Sequence, residues 1–332
     1  MGSEQTGNQR IDDEGRSAAY QKDAAAETRL KNLNAWLAPV SEAALPSFDA
    51  GTRPVVFVLG LPRSGTTLIA QALAATGAFA YPSNFLARFW EAPVVGLRIQ
   101  QALGIGCEGE GDFKSDYGVT SGWSDPHEFA YFWERWLRFS ESHVPDAAGL
   151  TPAAGENLRR ELDAFEGVVE KPVFFKSLML LYATEWLEET LGDRAHFVIV
   201  RRDPLATASS ILKGKRERLA HEGHWFSLRP ASYASLKDLP PVEQVAAQVH
   251  ALSDRLDAIA DGQGAGHRHR VCYEEFCADP RGQVIALLEA VGGGTDGVDR
   301  LPESFSTRPV PERGADADCD ALRAALENVD VG

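Results

Sequence analysis

The chain reads as an α/β protein: a P-loop-containing three-layer α/β/α fold with a central parallel sheet and a helical insertion. Three observations predict this. Short β-branched and aromatic runs alternate with longer helical stretches from residue 53 to 291, the pattern of parallel strands covered on both faces. One strand runs straight into a glycine loop and then a helix, RPVVFVLG, LPRSGTT and LIAQALAAT in succession. No Pro/Gly/Ser linker divides the 332 residues, so one domain with one large core is expected.

Taken in order, residues 1–26 are polar and poor in aromatics and read as a flexible N-terminal tail. Helical spacing begins at Ala24–Leu37. Arg53–Gly60 is a buried strand, and Gly77–Tyr81 is expected as a second. Residues 92–126 look irregular, and Pro126–Ser140 places Phe129, Phe132, Trp133, Trp136 and Leu137 on one face of a predicted helix. Lys171–Lys176 is the third strand, followed by helical spacing over Leu178–Leu191. His196–Val200 is the fourth strand; RRDP and the helix Leu205–Leu212 follow, with Pro204 suited to a first turn. Residues 214–240 read as a lid or long loop, and Val242–Ile259 as a long amphipathic helix. Arg268–Tyr273 is the fifth strand and Pro280–Val291 a further helix. The domain is expected over 27–295 with its helical insertion at about 85–165, and 296–332 as a C-terminal tail.

Composition excludes several classes. Lys plus Arg is 33 and Asp plus Glu 48, a net charge of -15, so nucleic acid is not an expected partner. Hydrophobic residues at 44% and charged residues at 24% are ordinary globular usage. Cys107, Cys272, Cys277 and Cys319 form no CxxC and no His-rich cluster, so neither a disulfide framework nor a bound metal is expected. No apolar run reaches the roughly 18 residues of a membrane span, and the N-terminus lacks a secretory h-region, so a cytoplasmic location is expected.

Gly60-Leu-Pro-Arg-Ser-Gly-Thr-Thr67 has phosphate-loop spacing, but Thr66 stands where a nucleotide-triphosphate loop has Lys. Backbone amides from Ser64 to Thr67 can wrap an anion at the helix start, with Thr66 and Thr67 hydroxyls as further donors and Arg63 as an internal cation. A glycine turn that merely joins strand to helix is the alternative. The missing lysine, and the lack of an acidic strand end to hold Mg²⁺, argue against metal-dependent phosphoryl transfer.

These residues resemble a known family. LPRSGTT after a strand is similar to the 5′-phosphosulfate loop of sulfotransferases that use 3′-phosphoadenosine 5′-phosphosulfate (PAPS). VIVRRDPLATASSIL resembles their 3′-phosphate element, which places Arg202 and Ser210 on that phosphate. VFFKSLMLL resembles their Lys-Ser strand end, and VCYEEFCADP their late Tyr-Glu stretch; the resemblance spans residues 55–290. It is nearer to the bacterial and tyrosyl-protein-sulfotransferase-like branch. The small-phenol branch has Lys-Thr-His, with the His as base, where this chain has Lys176-Ser177-Leu178.

The resemblance implies an enzyme that moves a sulfuryl group from PAPS to a hydroxyl or amine without a metal, releasing 3′,5′-ADP. It implies cofactor contacts from Arg63, Ser64, Gly65, Thr66, Thr67, Arg202, Ser210 and Tyr273. Lys176, at the carboxyl edge of a parallel sheet, is in reach of the sulfuryl group, or else is a surface lysine with a buried stem. Arg201 competes with Arg202 or joins a surface ion pair; Tyr273 stacks on adenine or packs on the sheet. Lys213, Lys215, Arg216 and Arg218 form a basic run that is either a phosphate clamp or a solvated face.

The base is chosen among His127, then Glu128, with Asp125 and Glu91 as further candidates. Asp125 also suits a helix cap and Glu128 a first helical turn. Asn84, Arg88 and Trp90 follow the second strand on the acceptor side, but Asn84 cannot be a base; Trp123, Trp133 and Trp225 line an acceptor pocket or the core. The acceptor is left open among small metabolites, glycans, lipid headgroups and peptides, as is assembly into a homo-oligomer. Two other readings stand beside this one: a P-loop kinase or nucleotidase, and a non-catalytic nucleotide-binding protein.

Overall fold

The computed structural model describes residues 15, 17, 22–106, 112–307, 310, 312–314 and 316–328. The expected N-terminal tail lies mostly outside them. Asp23 caps α1 (Ala24–Ala44) by accepting the Ala25 and Ala26 amides on its carboxylate. β1 (Val55–Gly60) leads through the glycine loop into α2 (Thr66–Thr76). Next come α3 (Pro93–Ala102), the single turn α4 (Ala130–Trp133) and α5 (Pro152–Val169), then β2 (Val173–Lys176). α6 (Thr184–Leu191) precedes β3 (Ala195–Arg201). α7 (Pro204–Arg218), the short α8 (Tyr233–Leu236) and α9 (Pro241–Ala260) precede β4 (His267–Cys272). α10 (Tyr273–Ala278), α11 (Pro280–Ala290) and α12 (Ala317–Glu327) complete the described elements.

The strands form one parallel sheet in the order β2-β1-β3-β4. Alternation along β1 makes the three layers. Val55, Phe57 and Leu59 point to one face and join a core with α5, α6, α7 and α9. Val56 and Val58 point to the other and pack with α2 and α11. On the first face Phe57 lies between Phe175 of β2 and Phe197 of β3, with ring centroids 6.0 and 5.6 Å away. β4 carries His267, Arg268, His269 and Arg270 on the sheet's edge, where charge discourages further strand pairing.

Several expectations need correction. Gly77–Tyr81 is not a strand: Ala80 makes one parallel bridge to Val173. The chain then turns to pair residues 82–84 with 125–127, through bonds such as His127 N–H to the Pro82 carbonyl at 2.8 Å. The helix expected over Pro126–Ser140 shrinks to α4, because Phe129 sits at φ 54° in the left-handed region and the chain beyond Trp133 continues as tight turns. Its aromatic side chains still go inward, with Phe129, Phe132 and Trp133 buried. The helix expected from Leu178 divides into a 3₁₀ turn (Leu178–Tyr182) and α6.

Residues 92–126, expected as irregular, contain α3. α7 continues to Arg218 and takes up the basic run. Tyr273, expected as the last residue of a strand, instead begins α10. Part of the segment expected as a C-terminal tail is α12, which packs on α7 and α9 with Leu322 buried.

Candidate active site

All four strands end at one side of the sheet, and each delivers a polar residue there: Arg63 after β1, Lys176 ending β2, Arg202 after β3 and Tyr273 after β4. Together they line a cavity of about 1050 Å³. This is the carboxyl edge at which open parallel sheets bind ligands, and the volume suits a nucleotide plus a second substrate.

The glycine loop is shaped by two left-handed residues, Arg63 at φ 67° and Gly65 at φ 96°. A side chain at Gly65 would collide with the Tyr273 ring, since an added Cβ would lie 2.1 Å from it. Tyr273 therefore packs directly on the loop. Gly65 starts α2 and no side chain caps that helix, so the first-turn amides and the Thr66 and Thr67 side chains face the cavity. Ser64 is different from the sequence expectation. Its amide and hydroxyl both donate to the Leu61 carbonyl, at 3.1 and 2.8 Å, so it braces the loop from inside and is absent from the cavity wall.

Arg63 Nε donates to Ser210 Oγ at 3.1 Å, which joins the loop to α7. Arg202 Nη1 donates to the Arg63 carbonyl at 2.8 Å, and its guanidinium lies 4.6 Å from the centre of the Tyr273 ring. Arg202 Nε is buried without a hydrogen bond. Its neighbour Arg201 turns away and pairs with Asp257 on α9. Asp203 caps α7, accepting the Ala206 amide at 2.8 Å, with Pro204 in the first turn. Arg202 and Ser210 thus approach the cavity from the start and the middle of one well-capped helix.

Lys176 is buried and forms an ion pair with Glu128, whose side chain is about one-third exposed. The left-handed turn at Phe129 makes this pairing, because it releases Glu128 from the helix that the aromatics suggest. His127 has its ring open to the cavity and crowded by protein on its other sides. That crowding holds its imidazole well below the usual 6.5. Its Nδ1 accepts the Phe129 amide at 2.9 Å, so the neutral ring carries its proton on Nε2. In that tautomer the Nε2 of His127 is a hydrogen-bond donor.

Of the remaining candidates, Asp125 accepts the Gly122 amide at 2.8 Å instead of capping a helix, and neither it nor Glu91 lines the cavity. Asn84 reaches the wall but is held by Thr120 and Gly122; Arg88 and Trp90 lie away from it. Trp133 is core and Trp123 is exposed, while Trp225 lines the cavity.

The basic run divides. Lys215 is buried, donating to the His224 carbonyl at 2.5 Å and to Gln244, and burial lowers its pKa to about 8. Arg216 pairs with Asp318 and Glu222, and Lys213 with Glu217. Only Arg218 of the run reaches the cavity.

Two cavity walls carry no sequence signal of their own, the stretch 112–120 and residues 302–306; a third, residues 225–229, lies in the 214–240 segment expected as a lid or long loop and includes Trp225. What the sequence does not show is backbone strain. Of the described non-glycine residues with positive φ, Arg63, Phe113, Tyr117 and Ser227 all line the cavity.

Comparison with solved structures finds similarity to sulfotransferases. One from Mycobacterium tuberculosis H37Rv is 16% identical, with a TM-score of 0.49 over 87% of this chain and 75% of that one. One from Mycobacterium avium is 14% identical, with a TM-score of 0.45 over 87% and 71%. A sulfotransferase domain from the Synechococcus PCC 7002 olefin synthase is 18% identical, with a TM-score of 0.38 over 75% and 78%. No curated protein matches the chain. The profile of the sulfotransferase family matches residues 54–296, from the first strand past the last sheet-covering helix, and the chain belongs to that family.

Proposed function

We propose that the protein transfers a sulfuryl group from PAPS to a hydroxyl on a largely uncharged acceptor. The observation that carries this reading is the convergence of Arg63, Arg202, Ser210 and Lys176 on one cavity in a chain of net charge -15. A small nucleotide phosphorylated at both ends of its ribose suits that local concentration of cations, whereas an anionic polymer would be repelled by the surface as a whole. The donor set fits such a ligand. The α2 amides are uncapped, Arg202 Nε is buried without a partner, and the Tyr273 ring flanks both Gly65 and Arg202.

In this reading the loop amides, Arg63 and the two threonines hold the 5′ end, and Arg202 with Ser210 forks the 3′-phosphate. Tyr273 packs beside the base. The sulfur–oxygen bond to the phosphate breaks as a new one forms to the acceptor oxygen. Negative charge collects on the departing phosphate oxygen, where the Lys176 ammonium stabilises it. The acceptor's proton passes to Glu128, the carboxylate already beside Lys176. His127 donates toward the cavity from Nε2 and orients the acceptor. No metal is required by this arrangement.

The acceptor side is walled by Leu178, Met179, Trp225, Phe226 and Leu228. These favour a hydroxyl carried on an apolar or aromatic body over a glycan or a charged peptide. A panel of alcohols and phenols, incubated with purified protein and PAPS in EDTA, tests the function by mass spectrometry of sulfated products. Product from apolar hydroxyl compounds is expected. No product from any acceptor class, with PAPS bound, would leave a nucleotide-binding protein without transferase activity.

A further inference from the structure

Asp116, Tyr117, Gly118 and Val119 form a two-residue hairpin that stands directly over the donor loop. Asp116 and Val119 exchange backbone hydrogen bonds of 2.9 and 3.0 Å. Tyr117 and Gly118 make the turn with φ of 51° and 87°, the double left-handed geometry of a tight hairpin. The Gly118 backbone faces both the Thr67 hydroxyl and the Lys176 ammonium, which would lie 3.5 and 3.8 Å from an added Cβ. The hairpin therefore occupies the side of the loop from which a phosphate would approach.

Its two leading side chains engage two cavity arginines. The guanidinium carbons of Arg63 and Arg218 lie 4.8 and 4.6 Å from the centre of the one Tyr117 ring. Asp116 pairs with Arg218 at 2.6 Å, and the Asp116 carbonyl accepts from the same Arg218 nitrogen at 3.1 Å. The Tyr117 hydroxyl is held by Glu217 on α7. Arg218 is mostly buried while Asp116 is largely exposed, so the carboxylate is the partner that can leave.

Resting on the donor reading above, we propose that this hairpin is a latch on the donor site. Tyr117 is a positioning residue that sets Arg63 and Arg218 for the donor's phosphates. The Asp116 carboxylate holds Arg218 in place of a phosphate and is displaced when the donor binds. The anion exchanges one charge-assisted contact on Arg218 for another, and the hairpin moves with Asp116.

Titration calorimetry with 3′,5′-ADP in EDTA tests this with four variants. Asp116→Asn removes the competing carboxylate and should lower Kd about three- to five-fold, the size of effect a partly exposed ion pair commands. Asp112→Asn removes a like charge from the same stretch of chain, one that pairs with Lys114 and not with Arg218, and should change Kd less than two-fold. Tyr117→Leu should raise Kd about five- to ten-fold, whereas Tyr117→Phe, which keeps the ring, should stay within two-fold of the parent. The latch is overturned if Asp116→Asn binds no tighter than the parent, if Asp112→Asn tightens binding equally, or if the Phe and Leu variants behave alike. A parent protein that ignores 3′,5′-ADP overturns the donor reading and the latch together; one that binds it while Asp116→Asn binds no tighter overturns the latch alone.

Discussion

At the residue scale the two arginines after β3 show what a sequence can and cannot say. Arg201 and Arg202 are equal candidates in the string VIVRRDP, and only their side-chain directions separate them. Arg201 meets Asp257, and Arg202 meets the Arg63 carbonyl and Tyr273. Arg202→Ala is expected to weaken 3′,5′-ADP by about ten- to hundred-fold, the worth of charged hydrogen bonds, while 5′-AMP changes little. Equal losses for the two nucleotides would take Arg202 away from the 3′-phosphate.

The base illustrates the same limit. His127 is the first choice on ordinary pKa alone, but the bond from the Phe129 amide fixes its tautomer and crowding keeps it neutral. Glu128→Gln should therefore lower kcat by about 10²- to 10⁴-fold. His127→Asn should leave the shape of the pH–rate profile between pH 5.5 and 8 unchanged, because a group already neutral across that range loses no proton in it. A profile that loses its acidic limb with His127→Asn and keeps it with Glu128→Gln would reverse the assignment.

Among the elements, β1, β2 and β3 are legible because buried parallel strands are short apolar runs, while the similar run Gly77–Tyr81 makes only one bridge. The helix that the spacing predicts over Pro126–Ser140 shortens to α4 for an equally physical reason. Its aromatic spacing follows from burial, and burial is achieved here by tight turns around Phe129 as well as it would be by a helix. The hairpin at 116–119 is invisible in the sequence, since its contacts join residues about a hundred positions apart, as Arg218 to Asp116 does.

Two element-scale predictions concern the sheet. Phe57→Ala empties the centre of the Phe175–Phe57–Phe197 row and should destabilise the fold by about 3–5 kcal/mol in urea titration. His196, His267 and His269 stack across β3 and β4, with burial and mutual repulsion pushing His196 down to about 4 and lowering His269 as well. Between the unfolded value near 6.5 and the folded value, the unfolded chain binds more protons, so stability falls as pH falls through that window. The loss by pH 5 should be about 1–2 kcal/mol, and a His196→Phe variant should show a flatter dependence of Tm on pH.

For the whole molecule, a net charge of -15 looked at odds with an anionic ligand. The fold resolves this by bringing Arg63, Lys176, Arg202 and Arg218 from separate stretches to one side of one sheet, while Lys215, Arg216 and Lys213 are engaged elsewhere. Strand ends made the first three readable in sequence; the sorting of the basic run required α7 and its neighbours. α12 was unreadable because a single narrow stripe, Cys319 and Leu322, is all that it buries.

The proposed donor site takes, without a metal, a nucleotide with phosphates at both the 3′ and 5′ positions. Thermal denaturation with 3′,5′-ADP in EDTA, set against ATP with Mg²⁺, tests it most directly. At a hundred times Kd the bound nucleotide should add about 2.7 kcal/mol of stability, a rise of a few degrees in Tm, and ATP with Mg²⁺ should add little. Stabilisation by ATP with Mg²⁺, and none by 3′,5′-ADP, would mean that the cavity is not a site for a 3′,5′-bisphosphate.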